Sequence, residues 1–129
     1  MHPNDVSYKI IGAAMRVHTE IGPGLVESAY EKCLSHAMTK AGLHYRRQVE
    51  APVEYDGVRI GPAFRIDFIV ENCVVVEIKC VDKVLAVHEA QLVSYLRLTK
   101  LPLGLLLNFK VAHMRHGITR RINASANDL

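Results

Sequence analysis

The sequence predicts an α/β fold of the α+β sandwich type, in which helices pack on a mixed central β-sheet. Two segments with helical spacing of apolar residues open the chain, and a region that alternates apolar and polar residues follows them. A further helical segment and a continuous apolar run complete the pattern. The length of 129 residues suits one hydrophobic core, so we expect a single domain over residues 1–129.

The first predicted element is a helix with Asn4 or Asp5 as its N-cap. Gly22-Pro23-Gly24 is expected to end this helix, because glycine and proline together break helical structure. The apolar residues that share one stripe of the helix are Val6, Ile10, Ala13, Ala14, Val17 and Ile21.

A second helix is predicted from about Leu25, with Gly42 as its C-terminal stop. Gly24 is a candidate N-cap for this helix. Glu27 then lies three residues after the cap, where a glutamate side chain can bond back to the cap amide. Glu27 is therefore explained by helix capping, unless the helix serves to present its carboxylate.

The pattern then changes to the period of two that is typical of strands. Asp56-Gly57 is predicted as a hairpin turn, and Gly61-Pro62 is expected to interrupt the chain between two hairpins. The four predicted strands cover residues 44–55, 58–60, 64–70 and 73–80.

Residues 87–100 return to helical spacing. The run "LGLLLNFK", residues 103–110, is typical of a strand that is buried on both faces. Residues 117–122 are predicted as a last edge strand, and the tail from about 123 to 129 is expected to be frayed.

Composition narrows the class of protein. The net charge of +3 permits a polyanionic partner without requiring one. Cys33, Cys73 and Cys80 are odd in number and form no C-x-x-C pair, which disfavours a disulfide framework or a structural zinc site and fits a reducing cytoplasm. The N-terminus lacks the features of a signal peptide, and no apolar run is long enough to span a bilayer. We therefore expect a cytoplasmic protein with no membrane partner.

Strand alternation divides the second predicted hairpin into two faces. The polar face carries Arg65, Asp67, Glu77 and Lys79. The apolar face is expected to form core, and it carries Phe64, Ile66, Phe68 and Val70 from one strand and Val74, Val76, Ile78 and Cys80 from the other.

The loop length of this hairpin decides whether its acids meet. A three-residue loop of residues 71–73 places Asp67 opposite Glu77, about 5 Å apart at Cβ. A two-residue turn would separate the two acids onto opposite faces, and a bulge is a second route to pairing them. Two such carboxylates with water form the oxygen site that Mg²⁺ or Mn²⁺ prefers, and Lys79 on the same face can act on a phosphate. A salt-bridged, solvated sheet face is the alternative interpretation.

Asp67, followed after nine residues by Glu77-Ile78-Lys79, resembles the core motif of the PD-(D/E)XK nuclease superfamily. "GLVESAY", residues 24–30, resembles the signature of the GxxExxY family within that superfamily. "VHTEIGPG", "VHEAQLVSYL" and "LGLLLNF" also look like that family, so the resemblance runs from about residue 8 to 123. It implies a restriction-endonuclease-like core of αβββαβ order. Ile66 stands where the superfamily name has proline.

The resemblance also implies roles for single residues. Asp67 and Glu77 would be metal ligands, joined by the Ile78 carbonyl. Lys79 would be the catalytic lysine. Glu27 would be the helix-borne catalytic acid and a further candidate ligand.

Gln91 and Tyr95 match the Q-x-x-x-Y positions that the family has on the helix after the E-x-K strand. His88 shares their helix face, since the three residues are spaced i, i+3 and i+7. This stripe is predicted to contact substrate. A solvated polar face is the alternative.

Together these residues predict a Mg²⁺- or Mn²⁺-dependent phosphodiesterase that cleaves nucleic acid, with DNA preferred to RNA by superfamily analogy. A homodimer is compatible with a chain that has no separate DNA-reading domain. Two alternatives stay open: a non-catalytic nucleic-acid-binding or protein-interaction module on a nuclease fold, and a hydrolase of small phosphorylated substrates such as nucleotides.

Overall fold

A computed structural model describes residues 1–125 of the chain. One mixed sheet of strand order β1-β2-β3-β4-β5 organises it, with β3 and β4 parallel and the other neighbours antiparallel. In chain order the elements are α1 (Pro3–Ile21), α2 (Glu27–Lys40), β1 (Tyr45–Tyr55), β2 (Val58–Val70), β3 (Val74–Lys79), α3 (Ala86–Thr99), β4 (Leu103–Asn108), a 3₁₀ turn (Met114–Gly117) and β5 (Ile118–Ile122). The helices flank the sheet, which confirms the predicted α+β sandwich.

The sheet has a hydrophobic core on each face. Helices α1 and α2 cover one face and pack on Leu103, Leu105 and Leu107 of β4. Helix α3 covers the other face and packs on Leu106 of the same strand. Every residue of β4 is buried, which confirms the prediction that this strand is covered on both sides.

The N-terminal caps of the first two helices differ from the prediction. In α1 the cap is His2, whose Nδ1 accepts the Asn4 amide at 3.0 Å, and the next residue is a proline, which lacks an amide and suits the first helical position. In α2 the N-cap is Val26, without a side-chain cap bond. Glu27 is thus the first helical residue, and the predicted bond back to a Gly24 cap does not form.

Tyr30 organises the loop that precedes α2. Its side chain is fully buried, and its ring stacks on Phe109 with the centroids 4.6 Å apart. The hydroxyl donates to the Gly22 carbonyl and accepts the Leu25 amide at 3.1 Å. These bonds fix where α2 begins and therefore where Glu27 points.

Tyr30→Phe is expected to lower the free energy of unfolding by about 1–2 kcal/mol, because the Gly22 carbonyl and the Leu25 amide lose a partner in a partly buried loop. Urea denaturation followed by circular dichroism measures this. Tyr8→Phe is the matched control, since Tyr8 is 80 % exposed. Equal stabilities of the two variants would contradict this role of Tyr30.

Strand β2 runs unbroken through Gly61-Pro62, where the sequence predicted an interruption. The register of β1 against β2 shifts between Ala51 and Val53, so the chain around Gly61-Pro62 bulges opposite Pro52. A side chain at Gly61 would come within 2.7 Å of the Pro52 Cα, so the close approach needs glycine. The chain therefore forms three strands, β1, β2 and β3, where four were predicted. Strands β1 and β2 pair along their length as one long hairpin.

The predicted tail is anchored at its start. Asn123 is buried, and its side-chain amide donates to the carbonyls of Leu96 and Leu101, each at 3.1 Å. The prediction of fraying from residue 123 is wrong at this position, because these bonds tie the chain to the end of α3. Residues 126–129 of that tail lie outside the described residues. Within residues 1–125 no helix is long and apolar enough to cross a membrane.

Candidate active site

The hairpin of β2 and β3 has the predicted three-residue loop. Val70 pairs with Val74, and the register continues through Phe68 and Val76. In this register Asp67 comes opposite Glu77, as the sequence predicted. The ordinary ladder stops there, because Phe68–Val76 is the last regular pair toward the acids.

The alternation of side chains along β2 also breaks at Asp67. Phe68 packs on the face covered by α1 and α2, whereas Phe64 and Ile66 belong to the core under α3. The prediction that these three residues share one face is therefore wrong. The cause is local: the β1–β2 ladder lacks the pair between Asp67 and Gln48, and Gln48 has a positive φ of 50°.

The two acids cross-link the strands at this break. Glu77 Oε2 accepts the backbone amide of Asp67 at 2.7 Å, and Asp67 Oδ2 accepts the amide of Ile78 at 2.8 Å. Each carboxylate thereby replaces a backbone ladder bond and is held in orientation. A carboxylate offers about four lone pairs, so both keep acceptor capacity for a further partner.

A cleft of about 450 Å³ opens over the pair. It is formed by the first turns of α2, by β1, β2 and β3, and by α3. The predicted site residues that line it are Glu27, Asp67, Glu77, Lys79, Gln91 and Tyr95. The fold thus brings together residues that are far apart in the sequence, from Glu27 on α2 to Tyr95 on α3.

The carboxylate pair is strongly desolvated. Glu77 is only 5 % exposed, and burial, reinforced by the charge of Asp67, raises its pKa to about 8. Burial also raises the pKa of Asp67, with the charge of Glu31 adding to it and the bond from the Ile78 amide opposing it. Burial therefore favours the protonated form of Glu77 whenever no cation balances the charge of the pair.

Glu27 and Lys79 act on this pair from the two sides of the cleft. Glu27 is exposed at the start of α2, yet partial burial raises its pKa, with Lys79 lowering it and Asp67 raising it. Its carboxylate is thus in the electric field of the site. The Lys79 ammonium donates to Gln91 Oε1 at 3.4 Å, which ties β3 to α3.

Of the three residues predicted on one face of α3, Gln91 and Tyr95 line the cleft. The Tyr95 ring is buried against Phe64, with the centroids 4.8 Å apart, and burial followed by the charge of Glu77 raises its pKa. His88 does not line the cleft. Its Nδ1 accepts the Leu85 amide at 2.9 Å, so it caps the start of α3.

Four residues of the cleft were given no role from sequence: Ser28, Glu31, Gln48 and Arg65. Glu31 follows Glu27 by four positions, so helical spacing could have identified it. Arg65 was placed on the polar face of the hairpin, as the structure has it, but without a role. The position of Gln48 depends on how β1 pairs with β2, which the sequence did not determine.

The donor groups of the cleft suit a hard divalent cation. Asp67 and Glu77 offer carboxylate oxygens, and the Ile78 carbonyl faces the same side, since the amide and carbonyl of one strand residue point to the same neighbour and this amide bonds Asp67. Within residues 1–125 no three His, Cys, Asp or Glu side chains are placed to hold a metal together. Two carboxylates and one backbone carbonyl are therefore the candidate oxygen donors of the cleft.

Comparison with known protein families gives a match over most of the chain. A family model described as the PD-(D/E)XK nuclease superfamily matches residues 4–121, which include both helical layers and the whole cleft. Neither the curated proteins nor the solved structures give a significant match. The acids on β2 and β3 and the lysine two residues after Glu77 lie within the matched segment. The chain belongs to the PD-(D/E)XK nuclease superfamily.

Proposed function

We propose that this protein is a nuclease that hydrolyses phosphodiester bonds with Mg²⁺ or Mn²⁺, on DNA rather than RNA. The observation that carries the proposal is the buried Glu77 paired with the half-buried Asp67 beside Lys79, in one cleft of a chain from a nuclease superfamily. Keeping two carboxylates this close out of water raises the energy of their charged forms. A divalent cation would lower the energy of the charged carboxylates. A solvated sheet face would not need such a cation.

The contacts within the cleft support the proposed division of roles. Asp67, Glu77 and the Ile78 carbonyl would hold the cation, which when bound would supply positive charge to polarise a phosphate and acidify a water. Lys79, kept in place by Gln91, neutralises charge that develops on the phosphate. Glu27 at the rim orients the attacking water and completes the site from α2.

Substrate contact is assigned to Gln91 and Tyr95, together with Arg65. Arg65 lines the cleft and is exposed, and among residues 1–125 no carboxylate pairs with it. The Arg65 guanidinium is therefore available to bind a phosphate of the nucleic-acid backbone. His88 is left out of this set, because its ring already caps α3.

Further assignments rest on the same resemblance. The segment from Gly24 to Tyr30 supports membership of the GxxExxY family, and DNA is favoured over RNA by superfamily analogy. We include a homodimer in the proposal, because a second subunit would bring a second copy of this cleft to the other strand of a duplex. The cysteine pattern supports a cytoplasmic location.

A second candidate is a hydrolase of small phosphorylated substrates. A cleft of about 450 Å³ is within the range of sites that enclose a molecule of nucleotide size. The non-catalytic module is less favoured, because a domain that only binds has no need to bury two acids beside a lysine.

Calorimetric titration of Mn²⁺ and Mg²⁺ into wild type and Asp67→Asn tests the proposal, with cleavage assays on single-stranded, duplex and branched DNA, on RNA and on nucleotides. We expect wild type to bind cation and cut DNA, and Asp67→Asn to bind at least about tenfold more weakly. Asp82→Asn is the matched control, since Asp82 is an exposed acid that pairs with Lys110 at 2.8 Å.

Each outcome has a distinct consequence. A wild type that binds neither cation and cuts nothing refutes the enzyme proposal, and the non-catalytic module then takes its place. Hydrolysis of nucleotides without cleavage of polymers favours the second candidate. Cleavage of RNA alone would refute the preference for DNA.

A further inference from the structure

Gln48 has a backbone conformation that is unusual inside a strand. Its φ is +50°, in the left-handed region that residues other than glycine, asparagine and aspartate rarely adopt. It lies within β1, not in a turn, and the β1 pairs on either side, Arg47 with Phe68 and Val49 with Ile66, are regular. Such strain persists in a fold only where the surroundings hold it in place.

The strained backbone aims the side chain into the cleft. The Gln48 amide nitrogen donates to Asp67 Oδ1 at 3.4 Å and to Glu31 Oε1. Both partners are carboxylate oxygens, which only accept when ionised, so the NH₂ group and not the amide oxygen must face them. One amide group with two hydrogens can serve both acids at once.

Glu31 and Asp67, the two acids that Gln48 contacts, are each held by a further donor. Glu31 Oε2 accepts from the Arg47 guanidinium at 2.7 Å, so its second oxygen is free for Gln48. Asp67 Oδ2 is already held by the Ile78 amide. Gln48 is thus the link between helix α2 and the second oxygen of Asp67.

We propose that Gln48 is a positioning residue that sets the orientation of the Asp67 carboxylate toward the cation of the proposed function. The inference rests on that function, because the cation is what a fixed carboxylate would bind. One donor on each oxygen restrains the rotation of the carboxylate, and each oxygen keeps acceptor capacity for the cation. Without Gln48 the Asp67 side chain keeps only the bond from Ile78 and loses its alignment.

Gln48→Asn separates this role from a purely structural one. Asparagine tolerates a positive φ better than glutamine, so the fold is kept, but its amide is one methylene too short to reach both acids. We expect the Mn²⁺ dissociation constant from calorimetry to rise about tenfold or more, as for other groups that orient metal ligands. Raising Mn²⁺ to saturation should restore cleavage, because Gln48 touches no reacting atom.

Glu54→Asp is the control, since it shortens an exposed side chain of the same strand by one methylene outside the cleft. A denaturation midpoint for Gln48→Asn at or above that of the control, together with weaker Mn²⁺ binding, supports the proposal. Gln48→Gly, which adopts positive φ freely, is the second variant and is expected to behave in the same way.

Mn²⁺ binding by Gln48→Asn within twofold of wild type overturns the role of Gln48 and leaves the proposed function intact. If Gln48→Asn loses Mn²⁺ affinity and stability to a matching extent, Gln48 is a structural residue and the proposal is overturned as well. The same conclusion holds if neither Gln48→Asn nor Gln48→Gly folds. A wild type that binds no Mn²⁺ overturns the proposed function, and the positioning role falls with it.

Discussion

Glu77→Gln is expected to make the cation-free protein more stable at pH 8 while it abolishes cation binding. Glu77 is almost completely buried beside Asp67, and burial with that charge raises its pKa to about 8. Glutamine resembles the protonated side chain: its oxygen can accept the Asp67 amide that Glu77 accepts now, and its NH₂ can face the Asp67 carboxylate. The repulsion between the carboxylates of residues 77 and 67 disappears, and the proposed cation loses one negatively charged ligand.

The pH dependence has a definite sign. The pKa of Glu77 in the folded protein lies above the ordinary value of 4.5 that applies to the unfolded chain. Below that ordinary value both states are protonated and the stability is fully present. Between it and the folded pKa only the folded state holds the proton, so the free energy of unfolding falls by about 1.4 kcal/mol per pH unit. Above the folded pKa both states are ionised and the loss is complete.

Wild type without cation should therefore lose a few kcal/mol of stability between pH 5 and pH 9 from this group. Burial raises the pKa of Asp67 as well, which adds a loss of the same sign at lower pH. Glu77→Gln should remove most of the slope. Urea denaturation in the presence of a chelator at a series of pH values measures it, and added Mn²⁺ should stabilise wild type at high pH but not the variant.

Glu54→Gln is the control for this experiment, because Glu54 is exposed on β1 and is not among the residues of the cleft. It should leave the pH profile of wild type unchanged. If Glu77→Gln were less stable than wild type at pH 8, or equally dependent on pH, the desolvated charge of Glu77 would not be a source of instability. The pair would then have no charge repulsion for a cation at this position to relieve.

Most of the fold could be predicted from periodicity, because each element buries one face or two. The run in β4 has no polar interruption, which already indicates a strand covered by helices on both sides. The helix stop at Gly42 and the turn at Asp56-Gly57 are also local, since these glycines adopt positive φ. Such features need no knowledge of distant contacts.

The errors arose where a tertiary contact overrides a local rule. Proline and glycine normally end a strand, yet β2 continues through Gly61-Pro62 because the bulge opposite Pro52 accommodates them. The start of α2 is set by the hydroxyl of Tyr30 and not by a capping side chain. Neither effect can be read from neighbouring residues.

The candidate site likewise contains residues that the local sequence predicts and residues whose position depends on tertiary structure. Asp67 and Glu77 depend on the length of one short loop, so their juxtaposition was predictable from the sequence of the hairpin. Gln48 enters the cleft only because its backbone leaves the ordinary strand conformation, and alternation alone gives no sign of this. Strict alternation also misplaced Ile66, which lies beside the same break in the ladder.

Lys79→Met is expected to reduce cleavage by about 10²–10³-fold while Mn²⁺ still binds, because a fixed positive charge at a developing negative charge contributes that much to a reaction. Lys79 shares the cleft with the two acids, and Gln91 holds its ammonium group at 3.4 Å. Methionine keeps most of the length and packing of the side chain and removes only its charge. The loss should therefore be in the chemical step rather than in folding.

The same substitution should shift the pH dependence. Lys79 lowers the pKa of Glu77 and of Glu27, so its removal raises both. Cation binding requires Glu77 to be ionised, so calorimetry across pH 6–9 should find binding by Lys79→Met displaced to higher pH. Single-turnover cleavage at saturating Mn²⁺ then isolates the effect on chemistry. Lys9→Met, on the exposed side of α1, is the control and should match wild type in both measurements. Cleavage by Lys79→Met within threefold of wild type would show that Lys79 supplies no charge to the reaction, and the cation alone would then have to neutralise the phosphate.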